Sequence, residues 1–240
     1  MAGTFEPYGA SHAVAAAIGA VGAVGVVLLG RRVRGRPLEE RVRRGFALLI
    51  PVFTVPLQVR QWLPGEFDLG TSLPLQICDL SWLVAMHALW TRSRRTSALL
   101  YYWGLTLTVQ AVVTPTLGKD FPDPEYVMFW GMHLLTIWAA LFMVFGLDVR
   151  PDWAGYRFTV LCTMVWLAVV MTFNAVAGTN YGYLARKPDV SSLLDLFGPW
   201  PLYVVVEAAV LLAGWALITW PWVRWSAPLG VRTGTPPGRP

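Results

Sequence analysis

Charged residues are scarce in this chain. Asp, Glu, Lys and Arg make up 14% of its 240 residues, whereas hydrophobic residues make up 55%. Soluble domains carry about 25% charged residues, and a surface that faces lipid explains the shortfall. A membrane span needs about 20 apolar residues to cross about 30 Å of hydrocarbon. About seven such spans with short connections use nearly the whole length, so the composition excludes a separate soluble domain.

Cysteine and histidine are also rare, which limits disulfide and metal chemistry. The two cysteines, Cys78 and Cys162, fall at opposite depths of their predicted spans. That separation exceeds the roughly 7 Å between Cα atoms that a disulfide tolerates, so we expect two free thiols. The three histidines form no H-x-x-x-H pair and the cysteines form no C-x-x-C pair. The sequence therefore predicts no metal site and no cofactor.

The positive charge of the chain has a topological explanation. The net charge of +5 comes mostly from arginines that stand between apolar runs. No alternation of aromatic and basic residues accompanies them, so we predict no nucleic-acid partner and expect membrane lipids instead.

Seven apolar runs are separated by short polar connections. We predict that these runs form one transmembrane domain, residues 12–222, preceded by an extracellular segment, 1–11. The tail, 223–240, is rich in Gly, Pro, Arg and Thr, and we expect it to be disordered. The predicted spans are residues 12–30, 45–62, 73–90, 97–114, 126–147, 158–177 and 201–222.

The distribution of arginine predicts the orientation of these spans. Most of the 19 Lys and Arg residues lie in the first, third and fifth connections and in the tail, and the densest stretch is 31–44. By the positive-inside rule this side is cytoplasmic. The sequence thus predicts an all-α, polytopic transmembrane helix bundle with seven spans, its N-terminus outside and its C-terminus in the cytoplasm.

Polar residues inside the spans gather at one depth. A charged side chain in mid-membrane costs at least about 2.5–3.5 kcal/mol, so each one needs an explanation. Counting residues from the span ends places most of them in the outer half of the bilayer, which predicts a polar cavity open to the outer side. The residues concerned are Arg60, Gln76, Cys78, Asp79, His133, Asn174 and Glu207.

A cysteine and a histidine at the same depth suggest nucleophilic chemistry. A thiol becomes a nucleophile when a neighbouring base takes its proton, and His133 can supply this to Cys78. A third polar group commonly orients the base, and Asn174, Asp79 or Glu207 are candidates. Such a constellation suits acyl transfer from a lipid ester, or hydrolysis of that ester.

Structural explanations and other functions compete with this hypothesis. Arg60 either snorkels to the outer headgroups or pairs with Asp79 and Glu207 to hold the bundle together. Buried cysteines are usually inert, and His133 alone is explained by an interhelical hydrogen bond. The same polar cavity also suits a transporter of small solutes or ions, and a non-catalytic envelope scaffold remains an alternative.

Two segments carry a resemblance to a known family. They are LPLQICD at 73–79 and the pattern NY, KP, SLLD and GPWP between Asn180 and Pro201. With His133 early in its span, they resemble the YwaF-like family of bacterial integral membrane proteins, which is grouped with the eukaryotic transmembrane protein 164. The resemblance covers roughly residues 45–222.

This resemblance implies both an activity and a location. The eukaryotic relative is regarded as a phospholipid acyltransferase that works through a cysteine acyl-enzyme, which implies Cys78 as nucleophile and His133 as base. The bacterial members imply a bacterial inner membrane. One departure is Gln76, where many members have His. Glutamine cannot accept a proton as imidazole does, so proton transfer at this position is not implied here.

The loop before the last span has its own interpretation. Gly198 to Pro201 form a rigid turn that starts a helix, because proline in the first helical turn needs no amide partner. Asn180, Tyr181 and Asp195 lie in the loop before that turn. We predict that the loop covers the cavity as a lid and that these residues orient substrate; the alternative is a purely structural loop cap.

Overall fold

Helices form nearly all of the regular structure. The computed structural model describes residues 3–188 and 192–226. Within those ranges the β-pairing is limited to an isolated bridge between Thr4 and Lys119, so the all-α prediction is confirmed. The α-helices are α1 (Ala10–Val33), α2 (Leu38–Gln61), α3 (Ile77–Thr91), α4 (Arg94–Tyr102), α5 (Thr108–Val113), α6 (Pro124–Leu141), α7 (Trp153–Ala177) and α8 (Leu202–Ser226).

Four short helical turns complete the described part of the chain. A π-helical turn, Trp103–Leu107, joins α4 to α5, and another, Phe142–Gly146, continues α6. Two 3₁₀ turns, Tyr181–Tyr183 and Leu193–Phe197, lie in the connection between α7 and α8. The π-helical turns keep α4 and α5, and α6 and its extension, as continuous helical rods.

The helices have the character of membrane spans. Among the residues that the structure describes, five helical segments are long and apolar enough to cross a bilayer: α1, α2, α6 with its π-helical turn, α7 and α8. Large apolar side chains on their outer faces stay uncovered, since Val21, Val176 and Leu217 are 75%, 85% and 65% exposed. Lipid is the solvent that such faces require. The chain is therefore a helical membrane protein with several spans.

Helix ends differ from the apolar runs where local chemistry intervenes. α2 begins at Leu38, well before the apolar run at residue 45, because two glutamates in its first turn favour the positive end of the helix dipole. α3 begins only at Ile77, because Gln76 is extended and forms a capping box with Asp79 at the helix end. α8 continues to Ser226, so the first part of the predicted disordered tail is helical. The remainder of that tail, residues 227–240, lies outside the described residues.

Ion pairs bring the arginine-rich connections together at one end of the bundle. One pair joins the α1–α2 connection to the connection before α7. A second joins the start of α2 to the turn between α3 and α4, and a third joins the start of α4 to the connection before α7. The pairs are Arg34–Asp148 at 3.4 Å, Arg92–Glu39 at 3.1 Å and Arg94–Asp152 at 3.5 Å. We call this the arginine-rich end.

The N-terminal segment packs on the connection between α5 and α6 at the opposite end. The amide of Asp120 donates to the carbonyl of Gly3 at 3.0 Å. His12 accepts from the amide of Tyr8 through Nδ1 at 2.9 Å, so its Nε2 carries the proton and donates to the carbonyl of Val112 at 3.0 Å. Residues 3–12 are thereby fixed on the rest of the bundle.

Small residues let the central helices approach closely. α2, α3 and α6 meet around the buried Ile50, Ala85, Ala88 and Ala139. A methyl side chain tolerates short interaxial distances, so these positions bring the inner faces of the helices together. The amino end of α3 lies at the end of the bundle opposite the arginine-rich end, where the connection after α7 contacts it.

Candidate functional site

Cys78 is the second residue of α3, and the start of this helix is held by its neighbours. The amide of Gln76 donates to Asp79 Oδ2 at 3.1 Å, which satisfies one donor at the helix end. Gln76 Oε1 accepts from the amide of Gly182 at 2.8 Å. Cys78 is a half-buried free thiol, and Cys162 is also free, as the sequence predicted. The helix end that carries the thiol is therefore tied to the connection after α7.

The extended segment before α3 is fixed by two aromatic side chains. The hydroxyl of Tyr181 accepts from the amide of Leu73 and donates to the carbonyl of Leu69, both at 2.9 Å. The indole of Trp166 in α7 donates to the carbonyl of Leu75 at 2.9 Å. Burial raises the pKa of Tyr181 above its usual value, so at neutral pH the phenol keeps the proton that it donates.

Asn174 and Asn180 hold the connection after α7. Asn174 Nδ2 donates to the carbonyl of Tyr181 at 2.9 Å, and its Oδ1 accepts from Thr179 Oγ1 at 2.8 Å and from the amide of Tyr181 at 2.9 Å. Asn180 Oδ1 accepts from the amide of Arg186 at 3.0 Å. These contacts go to the loop and not to His133, so the structure gives both asparagines a loop-holding role.

His133 is buried in α6, and its tautomer is fixed by the backbone. Nδ1 lies 2.7 Å from the carbonyl of Phe129, one turn earlier. A carbonyl only accepts, so Nδ1 carries the proton, and Nε2 of the neutral ring is the acceptor. The orienting group is thus a backbone carbonyl and none of the polar side chains considered from the sequence. Within the described residues no hydrogen bond joins His133 to Cys78.

The remaining acidic residues are dispersed. Asp195 accepts from the amide of Ser192 at 2.9 Å and lies 3.7 Å from Lys187 Nζ, so it organises the loop. Glu207 is half-buried in α8 and Arg60 is exposed. Among the described residues, no ion pair joins Arg60 to Asp79 or Glu207, so the lock considered from the sequence does not form.

A cavity of about 660 Å³ opens at this end of the bundle. Its wall comes from the connections after α2 and α7 and from the residue before α3, and includes Thr71, Gln76, Asn180, Tyr183, Arg186 and Lys187. Of the residues predicted from the sequence, Gln76 and Asn180 line it. Cys78, Asp79, His133, Asn174, Tyr181, Asp195 and Glu207 do not. The polar cavity thus lies at the level of the connections, with Cys78 two residues from its wall.

Two residues that shape this region were not predicted from the sequence. Trp166 lies in the middle of α7, away from the interfacial positions that tryptophan favours, and this was a usable signal for a specific contact. Gly182 has φ of +66°, and a Cβ there would come within 2.6 Å of the Trp166 ring. The glycine is therefore required by both the backbone and the neighbouring indole.

These features define a multi-pass helical membrane protein with a polar cavity at the end of the bundle opposite the arginine-rich end and a thiol at a helix end. The family model of the TMEM164 family matches residues 7–219, so the chain belongs to this family. The match confirms the resemblance seen in the sequence and extends it through the first helix. No curated protein and no solved structure matches the chain.

Proposed function

We propose that the chain is a membrane enzyme that moves an acyl group from a lipid ester through a thioester on Cys78. The observation that carries this proposal is the position of the thiol. Cys78 is half-buried in the first turn of α3, two residues after Gln76, which lines the outer cavity.

His133 is the proposed base. Its Nδ1–H donates to the carbonyl of Phe129, which leaves Nε2 to accept a proton. α6 packs directly against α3 through small residues such as Ala139 and Ala85. We propose that the hydrogen bond from Cys78 to His133 forms in the substrate complex, because catalytic hydrogen bonds are often long without substrate.

The proposed reaction has two halves that balance. In the first, the thiol proton of Cys78 passes to His133 Nε2 while sulfur bonds to the ester carbonyl carbon. The carbon–oxygen bond of the ester then breaks, and the leaving alcohol takes the proton from Nε2. In the second half, an acceptor hydroxyl gives its proton to Nε2 and attacks the thioester, and the proton returns to the departing sulfur. The acceptor is a second lipid for acyl transfer or water for hydrolysis.

The proposal includes a topology of seven spans in a bacterial inner membrane, with the N-terminus outside and the arginine-rich end in the cytoplasm. Its support is geometric. The arginine-bearing connections meet at one end, whereas the N-terminal segment and the cavity lie at the other. α4, its π-helical turn and α5 run unbroken over residues 94–113, the length of a span. Fluorescent-protein fusions, which mature only in the cytoplasm, test this: a C-terminal fusion that stays dark contradicts it.

The test of the reaction is a search for the thioester. The purified protein in detergent is incubated with an alkyne-tagged phospholipid ester, digested and analysed by mass spectrometry with and without hydroxylamine. We expect a hydroxylamine-labile acyl group on Cys78. The matched control is Cys162→Ala, which removes the other free thiol and should leave the adduct unchanged.

The variants separate the roles of the two residues. Cys78→Ala should abolish the adduct, and His133→Gln should slow its formation about 100-fold or more, the usual contribution of a general base. An adduct that persists in Cys78→Ala, or turnover that is unchanged in Cys78→Ser, would disprove the proposed nucleophile. A folded sample that forms no adduct at all would favour a transporter or a scaffold.

A further inference from the structure

A second cavity, of about 680 Å³, opens at the arginine-rich end. It is enclosed by the turn between α3 and α4, the connection from 148 to 152 and the end of α8. Cys78 lies at the other end of α3, so this cavity is separate from the proposed reaction.

Arginine dominates the chemistry of this cavity. Three guanidinium groups, those of Arg92, Arg94 and Arg150, line it together with two carboxylates, those of Asp148 and Asp152. Each guanidinium has five N–H donors in a planar fork, and an ion pair uses only one or two of them. Arg92 and Arg94 each make one ion pair within the described residues, with Glu39 and Asp152, so both guanidinium groups keep N–H donors for a further acceptor.

The carboxylates hold the arginines in place. Asp152 Oδ1 accepts from the amide of Gly155 at 2.7 Å, and its Oδ2 lies 3.5 Å from Arg94 Nη2. Asp148 Oδ1 accepts from Arg150 Nε at 2.6 Å. Both carboxylates are thus committed to positioning, and Arg92 is held by a third carboxylate, that of Glu39 in α2, at 3.1 Å.

The backbone around the cavity is also specialised. Arg92 and Asp148 have φ of +56° and +61°, in the left-handed region that is uncommon for residues other than glycine. Such residues persist where the surroundings fix them and are concentrated at binding sites. The amide of Arg92 donates to the carbonyl of Ala88 at 2.9 Å, so this turn is closed on the end of α3. The side chain of Ser93 does not cap α4, which leaves the first amides of that helix as further donors.

We propose that this arginine-lined cavity binds a phosphate group, either the headgroup phosphate of an anionic lipid or free inorganic phosphate. Guanidinium groups bind phosphate oxygens in pairs of parallel hydrogen bonds. Basic pockets between transmembrane helices at the cytoplasmic side hold lipid headgroups. Trp222, in the last turns of α8, supplies the apolar wall that lies beside a headgroup at the membrane boundary.

The experiment compares two phosphate sources on the full chain. One arm titrates inorganic phosphate into detergent-purified protein and follows the melting temperature. The other arm reconstitutes the protein in nanodiscs of phosphatidylcholine alone or with a fifth of phosphatidylglycerol, and counts retained lipids by native mass spectrometry. The test variant is Arg94→Gln, which is an exposed residue and leaves the buried core intact. The matched control is Arg95→Gln, an equal charge change on the next residue, which does not line the cavity.

We expect Arg94→Gln to weaken binding of the phosphate source about fivefold, the value of one arginine near an anionic surface, and Arg95→Gln to leave it unchanged. Retention of phosphatidylglycerol without stabilisation by inorganic phosphate identifies a lipid headgroup. Stabilisation by inorganic phosphate alone identifies a free anion. Equal losses in the two variants, or no effect of either phosphate source, would overturn the proposal.

Discussion

The hydroxyl of Tyr181 is a single group whose removal tests how the outer connections are held. It bridges two segments that are far apart in sequence, because it accepts from the amide of Leu73 and donates to the carbonyl of Leu69. The tyrosine is fully buried, so water does not replace the hydroxyl easily. Tyr181→Phe removes this one oxygen and keeps the ring.

Tyr181→Phe leaves the amide of Leu73 and the carbonyl of Leu69 without their hydrogen-bond partner, and this determines the expected loss of stability. An unsatisfied buried donor or acceptor costs about 1–3 kcal/mol. The amide of Leu73 is half-buried and bears this cost, whereas Leu69 is exposed and water can reach its carbonyl. We therefore expect about 2 kcal/mol, which corresponds to a melting temperature lower by about 4–8 °C for a chain of this size.

The assay is thermal unfolding of the purified protein in detergent, followed by intrinsic tryptophan fluorescence. Burial raises the pKa of Tyr181, so the folded and the unfolded phenol are both protonated below the unfolded pKa of about 10. The stability difference should therefore be constant between pH 6 and 9 and be lost as the pH rises above 10. The stability difference falls above pH 10 because the unfolded state releases the phenol proton at a lower pH than the folded state does.

Tyr183→Phe is the matched control for this prediction. Tyr183 lies two residues away in the same 3₁₀ turn, and its hydroxyl makes no hydrogen bond within the described residues. Its removal should change stability by less than about 0.5 kcal/mol. Equal melting temperatures for the two variants would refute the reasoning, because the bridge would then contribute nothing.

Two further substitutions test the packing of the bundle. Arg43→Leu should lower the melting temperature strongly, with a cost of about 2–4 kcal/mol, because the buried guanidinium donates to the carbonyls at the end of α3. Arg44→Leu alters an exposed side chain that pairs with Glu40 and lies over the Trp90 ring, and it should cost less than about 1 kcal/mol in the same thermal scan. Equal losses would contradict the assignment. Gly146→Ala should destabilise the protein by about 1–3 kcal/mol, because its Cβ would lie 2.9 Å from the backbone of α1, and an unchanged denaturation midpoint would show that the helices separate freely.

The sequence predicted the helices well because lipid imposes a simple rule. Every span must be apolar and must satisfy its own backbone, so the runs of hydrophobic residues coincide with helices. No pattern in the sequence predicts the π-helical turns, because one extra residue in a helical turn leaves the composition unchanged. Gly146 lies in one of these turns, at the point where the backbone of α1 crosses it. The sequence alone does not reveal this contact.

The contacts of the candidate site could not be predicted from the sequence. Counting residues along each span placed Gln76 and Asn174 at a common level, but the direction of a side chain depends on helix rotation. The structure directs both of them to backbone groups of the connection after α7. The partner of His133, a carbonyl one turn earlier, is a local contact that helix geometry alone allows. Whether a buried histidine uses it depends on which other acceptors reach the ring.

Gln76 gives the outer connection a mechanical role. Its amide belongs to the start of α3, and its side chain holds Gly182 in the covering loop. The Tyr181 hydroxyl ties the same loop to the segment before α3. A movement of the loop away from the cavity would break the hydrogen bond from the Gly182 amide to Gln76, the residue just before the helical turn that carries Cys78. We therefore expect opening of the loop and displacement of the thiol to be coupled.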